Sequence, residues 1–179
     1  MDFDAFKLPS AYPVMGKTLL WVQTGAALEI IHAMTGLVRA PLFTTIIQVF
    51  SRLAVTWGLL ELTPVTQTSS AVTCVFFAWS TVEVVRYAFY ALNLMGIHQH
   101  AVTWCRYTLF YVLYPLGVAS EMTLLYRGWQ ARGETPVGYM YLAFLALWGP
   151  GFIKMYTHMM VQRRKVIPSR RIHTAVKDQ

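Results

Sequence analysis

Long apolar windows alternate with short polar clusters along the chain. Leu62 to Val82 and Thr135 to Ile153 contain no formal charge and are about long enough to cross a bilayer. Three further windows, about Thr18 to Val38, Leu42 to Glu61 and Trp104 to Tyr126, carry one to three charged residues each. With the third span set at roughly Ser69 to Leu92, the pattern predicts five helices. The connections are short: "RAP" at Arg39 to Pro41, "TPVTQTSS" at Thr63 to Ser70, "NLMGIHQHAV" at Asn93 to Val102 and "RGWQARGETP" at Arg127 to Pro136. Gly, Pro, Ser and Thr punctuate them, as expected where helices stop and turn.

Composition agrees with a membrane class. Hydrophobic residues make up 56% of the 179 positions and charged residues only 13%, outside the usual range of a water-soluble domain. The expected architecture is an all-α integral membrane protein, a polytopic bundle of about five transmembrane helices. Residues 1–17 form a short N-terminal segment, 18–162 the bundle and 163–179 a basic tail. The N-terminal "MDFDAFKLPSAYPVMGK" lacks the basic start and unbroken apolar core of a signal peptide, so the first span is expected to serve as its own insertion signal.

The net charge of +7 is concentrated at one end, with six of the fifteen Lys and Arg residues after Gln162. A basic run beginning where a span ends reads as a topology anchor against anionic headgroups rather than a nucleic-acid site, and it places the tail in the cytosol. Cys74 and Cys105 have no CxxC partner, which points to neither a disulfide framework nor a metal site. Neither has an arginine six residues on, where a cysteine phosphatase would hold its phosphate loop.

Ionisable residues inside spans are costly and must find partners or water. Glu29 with His32, and Glu83 with Arg86, stand three apart, a spacing that shares one helix face. Glu83 with Arg86 reads either as a neutralising ion pair or as a pair that handles a charged substrate. Glu29-x-x-His32 matches half of a di-iron carboxylate motif, but no second ExxH exists, so no metal is expected there; His98 and His100 add little.

The stretch "FYVLYPLGVASEMTLLY" places a phenol, Tyr114, and a carboxyl, Glu121, seven residues apart within a span. On an unbroken helix they lie within about 20° of one face and about 10 Å apart along the axis. Pro115 removes a backbone hydrogen bond and Gly117 eases distortion, so a kink or unwound turn is expected between them. A buried carboxyl is a candidate acid or base; a tyrosine at the interface and a glutamate paired with an arginine is the alternative.

"RYTLFYVLYPLGVASE" resembles the signature of the very-long-chain 3-hydroxyacyl-CoA dehydratases, a family also described as protein-tyrosine-phosphatase-like. "QTGAALEIIHAMTGLVR" from Gln23, "QVFSRLAVTWGLL" from Gln48, "WSTVEVVRYAFYALNLMG" from Trp79 and "YTHMMVQRRK" from Tyr156 extend the resemblance, in order, from about Lys17 to Lys165. The resemblance implies a multi-pass enzyme of the endoplasmic reticulum membrane. This hydro-lyase removes water from a 3-hydroxyacyl-CoA to give the trans-2-enoyl-CoA, needs no cofactor, and works beside the condensing enzyme, ketoreductase and enoyl reductase of fatty-acid elongation.

The family's YPxGxxxE pattern puts its catalytic tyrosine and glutamate on Tyr114 and Glu121. Arg86, Arg106, Tyr107 and Glu83 are expected to bind substrate or support the pair. The family usually has six spans; the helix before Lys17 is expected to be missing here, which would place the N-terminus in the lumen. The alternative function is a catalytically inactive scaffold or adaptor of an elongase complex. A proton-coupled transporter using Glu29, Glu83 and Glu121 would call for inverted repeats, and none is evident.

Overall fold

The computed structural model describes residues 8–36, 42–97 and 99–167, with residues 43 and 44 described by their backbone. The "RAP" connection, His98 and the basic residues beyond Ile167 therefore lie outside the described residues. The fold is all-α. The elements in order are α1 (Tyr12–Gly25), α2 (Leu28–Met34), α3 (Leu42–Leu53), a π-helix (Ala54–Glu61), a 3-10 turn (Pro64–Thr68), α4 (Ser70–Leu94), α5 (His100–Thr108), α6 (Phe110–Arg132) and α7 (Pro136–Val166).

Three helical stretches among the described residues are long and apolar enough to cross a membrane: Ser70–Leu94, His100–Arg132 and Pro136–Val166. They also expose large apolar side chains, including Phe77, Val84, Val112, Leu147 and Ile153. In water each such exposure would forfeit about 25 cal/mol per Å² of apolar surface, whereas acyl chains solvate it without penalty.

The first two expected spans are helical but interrupted. Residues 12–34 divide into α1 and α2 at Ala26–Ala27, and α3 passes directly into the eight-residue π-helix. Thr56 Oγ1 donates to the Arg52 carbonyl at 2.9 Å at that junction, the kind of side-chain competition that disturbs a regular helical ladder. The last expected boundary also moves: Arg163, Arg164 and Lys165 form the final turn of α7 rather than a separate tail. Positive charge there complements the carbonyl end of the helix dipole.

The chain divides into two compact units, crossing between them inside α4, α6 and α7. The first comprises Met1–Phe76 and Ala119–Ala146, the second Phe77–Val118 and Leu147–Gln179. In the first, Leu59, Leu60, Val72, Val75, Leu124 and Tyr141 are almost completely buried. A directed hydrogen-bond chain runs through this core. Arg132 Nε donates to Thr63 Oγ1 at 3.1 Å, the Thr63 hydroxyl lies 2.9 Å from the Tyr141 phenol, and that phenol donates to the Gly58 carbonyl at 2.7 Å.

Leu8 to Tyr12 are tied to the same unit. Ser70 Oγ donates to the Leu8 carbonyl at 2.6 Å, Thr73 Oγ1 donates to the Pro9 carbonyl at 2.7 Å, and the Tyr12 phenol donates to the Glu61 carboxylate. The short N-terminal segment is thus packed structure from Leu8 onward.

Replacing Tyr141 by Phe would remove the donor to the Gly58 carbonyl and leave the Thr63 hydroxyl with Arg132 alone among the described residues. The expected loss is about 1–3 kcal/mol, read as a lower midpoint of thermal unfolding in detergent. Tyr139→Phe, at an exposed position of α7, should leave that midpoint unchanged.

Candidate active site

Helices α4, α5 and α6 carry the expected catalytic and supporting residues. Glu83 and Arg86 are one turn apart on α4, and their side chains meet at 2.7 Å. The Arg86 guanidinium also donates to the Tyr87 hydroxyl at 3.2 Å and lies 5.0 Å from that ring's centroid. Inside a span such a pair is held together because either charge alone would be stranded in a medium of low polarity.

Arg106 on α5 has different surroundings. Its guanidinium carbon lies 4.8 Å from the centroid of Phe89, 4.9 Å from that of Tyr90 and 5.8 Å from that of Tyr107, and Nη2 donates to the Tyr90 hydroxyl at 3.2 Å. Among the described residues no carboxylate is paired with it. Aromatic faces stabilise a cation without neutralising it. The two arginines therefore have distinct surroundings.

Tyr114 belongs to the second unit and Glu121 to the first, and α6 carries both. That helix continues through Pro115 and Gly117, so of the kink or unwound turn expected between the two residues the unwinding does not occur. α5 leads into α6 at Leu109, whose N–H donates to the Cys105 carbonyl at 2.9 Å and whose carbonyl accepts from the Leu113 N–H at 2.9 Å. Proline disturbs the turn N-terminal to itself, through its missing N–H and its ring's clash with the carbonyl four residues back, here Tyr111. A Cβ at Gly117 would meet the Cβ of Ala78 at 3.7 Å, an ordinary contact, so close packing does not demand a glycine there. Tyr114 and Glu121 are both partly buried.

The Tyr114 ring lies nearly parallel to two rings of α7. Its centroid is 5.4 Å from that of Phe152 with planes 13° apart, and 6.4 Å from that of Tyr156 with planes 17° apart. Sequence reasoning singled out neither residue's side chain, although their four-residue spacing, which puts both on one helix face, was a usable signal.

Comparison with known proteins adds the decisive observation. The family model described as "Protein tyrosine phosphatase-like protein, PTPLA" matches residues 23–169. The chain belongs to the PTPLA family. A "Probable very-long-chain (3R)-3-hydroxyacyl-CoA dehydratase" of Schizosaccharomyces pombe is 40% identical to this PTPLA chain over 154 residues, covering 82% of it and 72% of the relative. "PASTICCINO 2B" of rice, Oryza sativa subsp. japonica, whose name also denotes such a dehydratase, is 34% identical over 174 residues, covering 88% and 79%. The human "Very-long-chain (3R)-3-hydroxyacyl-CoA dehydratase 2" is 34% identical over 173 residues, covering 88% and 68%. No solved structure matches the chain.

The phosphatase wording of the PTPLA description has no counterpart in this chain's thiols. Cys74 and Cys105 are free and partly buried, on α4 and α5, and the positions six residues beyond them are Ser80 and Tyr111. Glu29 and His32 occupy the first and last turns of α2. Among the described residues no group of three or more His, Cys, Asp or Glu side chains gathers in a way that would hold a metal.

The Glu83–Arg86 pair yields a stability prediction for this PTPLA chain. Glu83→Gln should cost about 3 kcal/mol by removing the carboxylate that meets the Arg86 guanidinium, whereas Glu83→Gln combined with Arg86→Met should recover most of that loss. Unfolding midpoints of the single and double variants in detergent check the coupling; equal midpoints would show that the ion pair contributes nothing.

Proposed function

We propose that this chain is a very-long-chain 3-hydroxyacyl-CoA dehydratase that removes water from a 3-hydroxyacyl-CoA to give the trans-2-enoyl-CoA, with Tyr114 and Glu121 as its catalytic residues. The observation that carries the reading is the similarity, over more than four-fifths of the chain, to relatives named as such dehydratases, in a sequence that retains both Tyr114 and Glu121.

The chemistry calls for one base and one acid. The thioester carbonyl acidifies the C2 hydrogen, and the Glu121 carboxylate takes that proton. The C2–H electron pair forms the C2=C3 double bond as the C3–O bond breaks. The Tyr114 phenol gives its proton to the departing hydroxyl, which leaves as water. Exchange with water returns a proton to the phenolate and removes one from Glu121, restoring both groups. No external oxidant, reductant or metal enters the balance.

Arg106 takes the role of an anion contact for the phosphates of the CoA moiety, with Tyr107, Tyr90 and Phe89 holding its guanidinium in place. Glu83 and Arg86 act as a mutual pair that supports this end of α4. The acyl tail lies among apolar helices in contact with membrane lipid. The working location is the endoplasmic reticulum membrane, with the C-terminus and the Asn93 to Val102 connection on the cytosolic side, where a charged CoA remains in water. The condensing enzyme and ketoreductase supply the substrate, and the enoyl reductase consumes the product.

Expression in cells depleted of their own 3-hydroxyacyl-CoA dehydratase tests the reading. The chain should clear the 3-hydroxyacyl-CoA that accumulates and restore very-long-chain acyl products. Persistent accumulation with the chain correctly inserted would favour the scaffold role instead.

A further inference from the structure

Pro115 deprives α6 of one backbone hydrogen bond in the turn beside Tyr114, so the local backbone does less than usual to fix that phenol. The ring is held from α7 instead. Phe152 and Tyr156 stand four residues apart and are themselves stacked, with centroids 5.3 Å apart and planes 24° apart. Together with Tyr114 they make three near-parallel rings. All three separations fall in the range of offset stacking between aromatic side chains.

Tyr156 is the centre of this cluster. Besides Tyr114 and Phe152 it meets the edge of Phe110 at 5.6 Å and 70°, and that of Tyr111 at 6.1 Å and 83°. Phe110 is almost fully buried, and the Arg163 guanidinium lies 5.5 Å from the Tyr111 centroid, so the cluster is anchored on both sides. Parallel contact with two rings restricts both side-chain torsions of Tyr114, and with them the direction of its hydroxyl.

We infer that Phe152 and Tyr156 are positioning residues for the reaction, holding the Tyr114 phenol in the orientation from which it transfers its proton. This inference rests on the catalytic reading of Tyr114. The stack acts through ring faces, so the Tyr156 hydroxyl is dispensable. It aims an acid rather than binding CoA, so its loss is felt in turnover and not in substrate affinity.

The test uses the full chain in membranes, with insertion and unfolding midpoint measured for every variant. Tyr156→Leu should lower kcat by about tenfold to a hundredfold, the scale expected when a reacting group is misplaced by an ångström. KM should change by less than about twofold, because the loss is confined to the chemical step. Tyr156→Phe should restore kcat, and Phe152→Leu, which leaves the Tyr156 contact in place, should give a smaller loss of the same kind. In a Tyr114→Phe background, Tyr156→Leu should leave the residual rate unchanged, since the hydroxyl it orients is already gone.

A normal kcat in Tyr156→Leu beside an impaired Tyr114→Phe would overturn the inference alone. So would an equal fractional loss in the Tyr114→Phe background, which would reveal a purely structural role, or a Tyr156→Phe variant as impaired as Tyr156→Leu. Full activity in Tyr114→Phe would overturn the catalytic reading and this inference with it.

Discussion

Glu121→Gln is expected to reduce kcat by about a hundredfold to ten-thousandfold, the usual contribution of a positioned acid or base, while the protein inserts and unfolds as the unmodified chain does. The substitution keeps the size and hydrogen-bonding capacity of the side chain and removes its ability to accept the C2 proton. Tyr114→Phe keeps the ring and its stack on Phe152 and Tyr156 but removes the proton delivered to the leaving hydroxyl. Both single variants should fall by similar large factors, and the double variant should be little worse than either, because residues acting as one unit are not additive. The kinetics of the four proteins on one 3-hydroxyacyl-CoA, at equal membrane content, provide the check. A Glu121→Gln variant within about twofold of the unmodified chain would remove Glu121 from the general acid–base chemistry.

Arg106→Met is expected to raise KM for the CoA thioester by about tenfold to a hundredfold, the loss that follows from removing one charge-assisted hydrogen bond of roughly 1.5–3 kcal/mol. Methionine preserves much of the apolar stem among Phe89, Tyr90 and Tyr107, so the change isolates charge from packing. The corresponding 3-hydroxyacyl-pantetheine thioester, which lacks the nucleotide phosphates, separates two roles for the cation. If Arg106 meets those phosphates, the variant and unmodified chain should handle this shorter substrate equally. If Arg106 instead polarises the thioester carbonyl, both substrates should suffer alike and the effect should appear in kcat. Arg86, already engaged by Glu83 at 2.7 Å, should show no such dependence on the nucleotide portion.

The contrast between these arginines shows where sequence reasoning reached and where it stopped. The three-residue spacing correctly placed Glu83 and Arg86 on one face, because an ion pair within one helix is a local property. The surroundings of Arg106 depend on Phe89 and Tyr90, which are sixteen or more positions away in the chain. No periodicity specifies that contact.

The helical class was legible for a related reason. Apolar windows dictate spans wherever backbone groups must be satisfied within the segment; α4 follows the expected Ser69 to Leu92 span closely, while the α5–α6 stretch and α7 run well past the windows Trp104 to Tyr126 and Thr135 to Ile153. The first two windows were less informative. Hydropathy records whether a segment tolerates lipid, not whether its hydrogen bonds follow an α or π ladder, so the break at Ala26–Ala27 and the π-helix at Ala54–Glu61 left no apolar signature.

Around Tyr114, the YPxGxxxE pattern makes the phenol and carboxyl the expected pair, and of the kink or unwound turn expected between them the unwinding does not occur. Pro115 signals a lost hydrogen bond but not whether neighbouring turns hold the helix together, and here α6 runs on through it. The stack of Tyr114 on Phe152 and Tyr156 was hidden for the same reason as the Arg106 cage, since it joins helices far apart in sequence.

The dehydratase reading is tested most directly by incubating the purified chain, reconstituted in liposomes, with a very-long-chain (3R)-3-hydroxyacyl-CoA and measuring trans-2-enoyl-CoA by mass. The account predicts time-dependent product that scales with protein and is nearly abolished in Glu121→Gln liposomes. Correctly inserted, folded protein that forms no enoyl product above empty liposomes would contradict it.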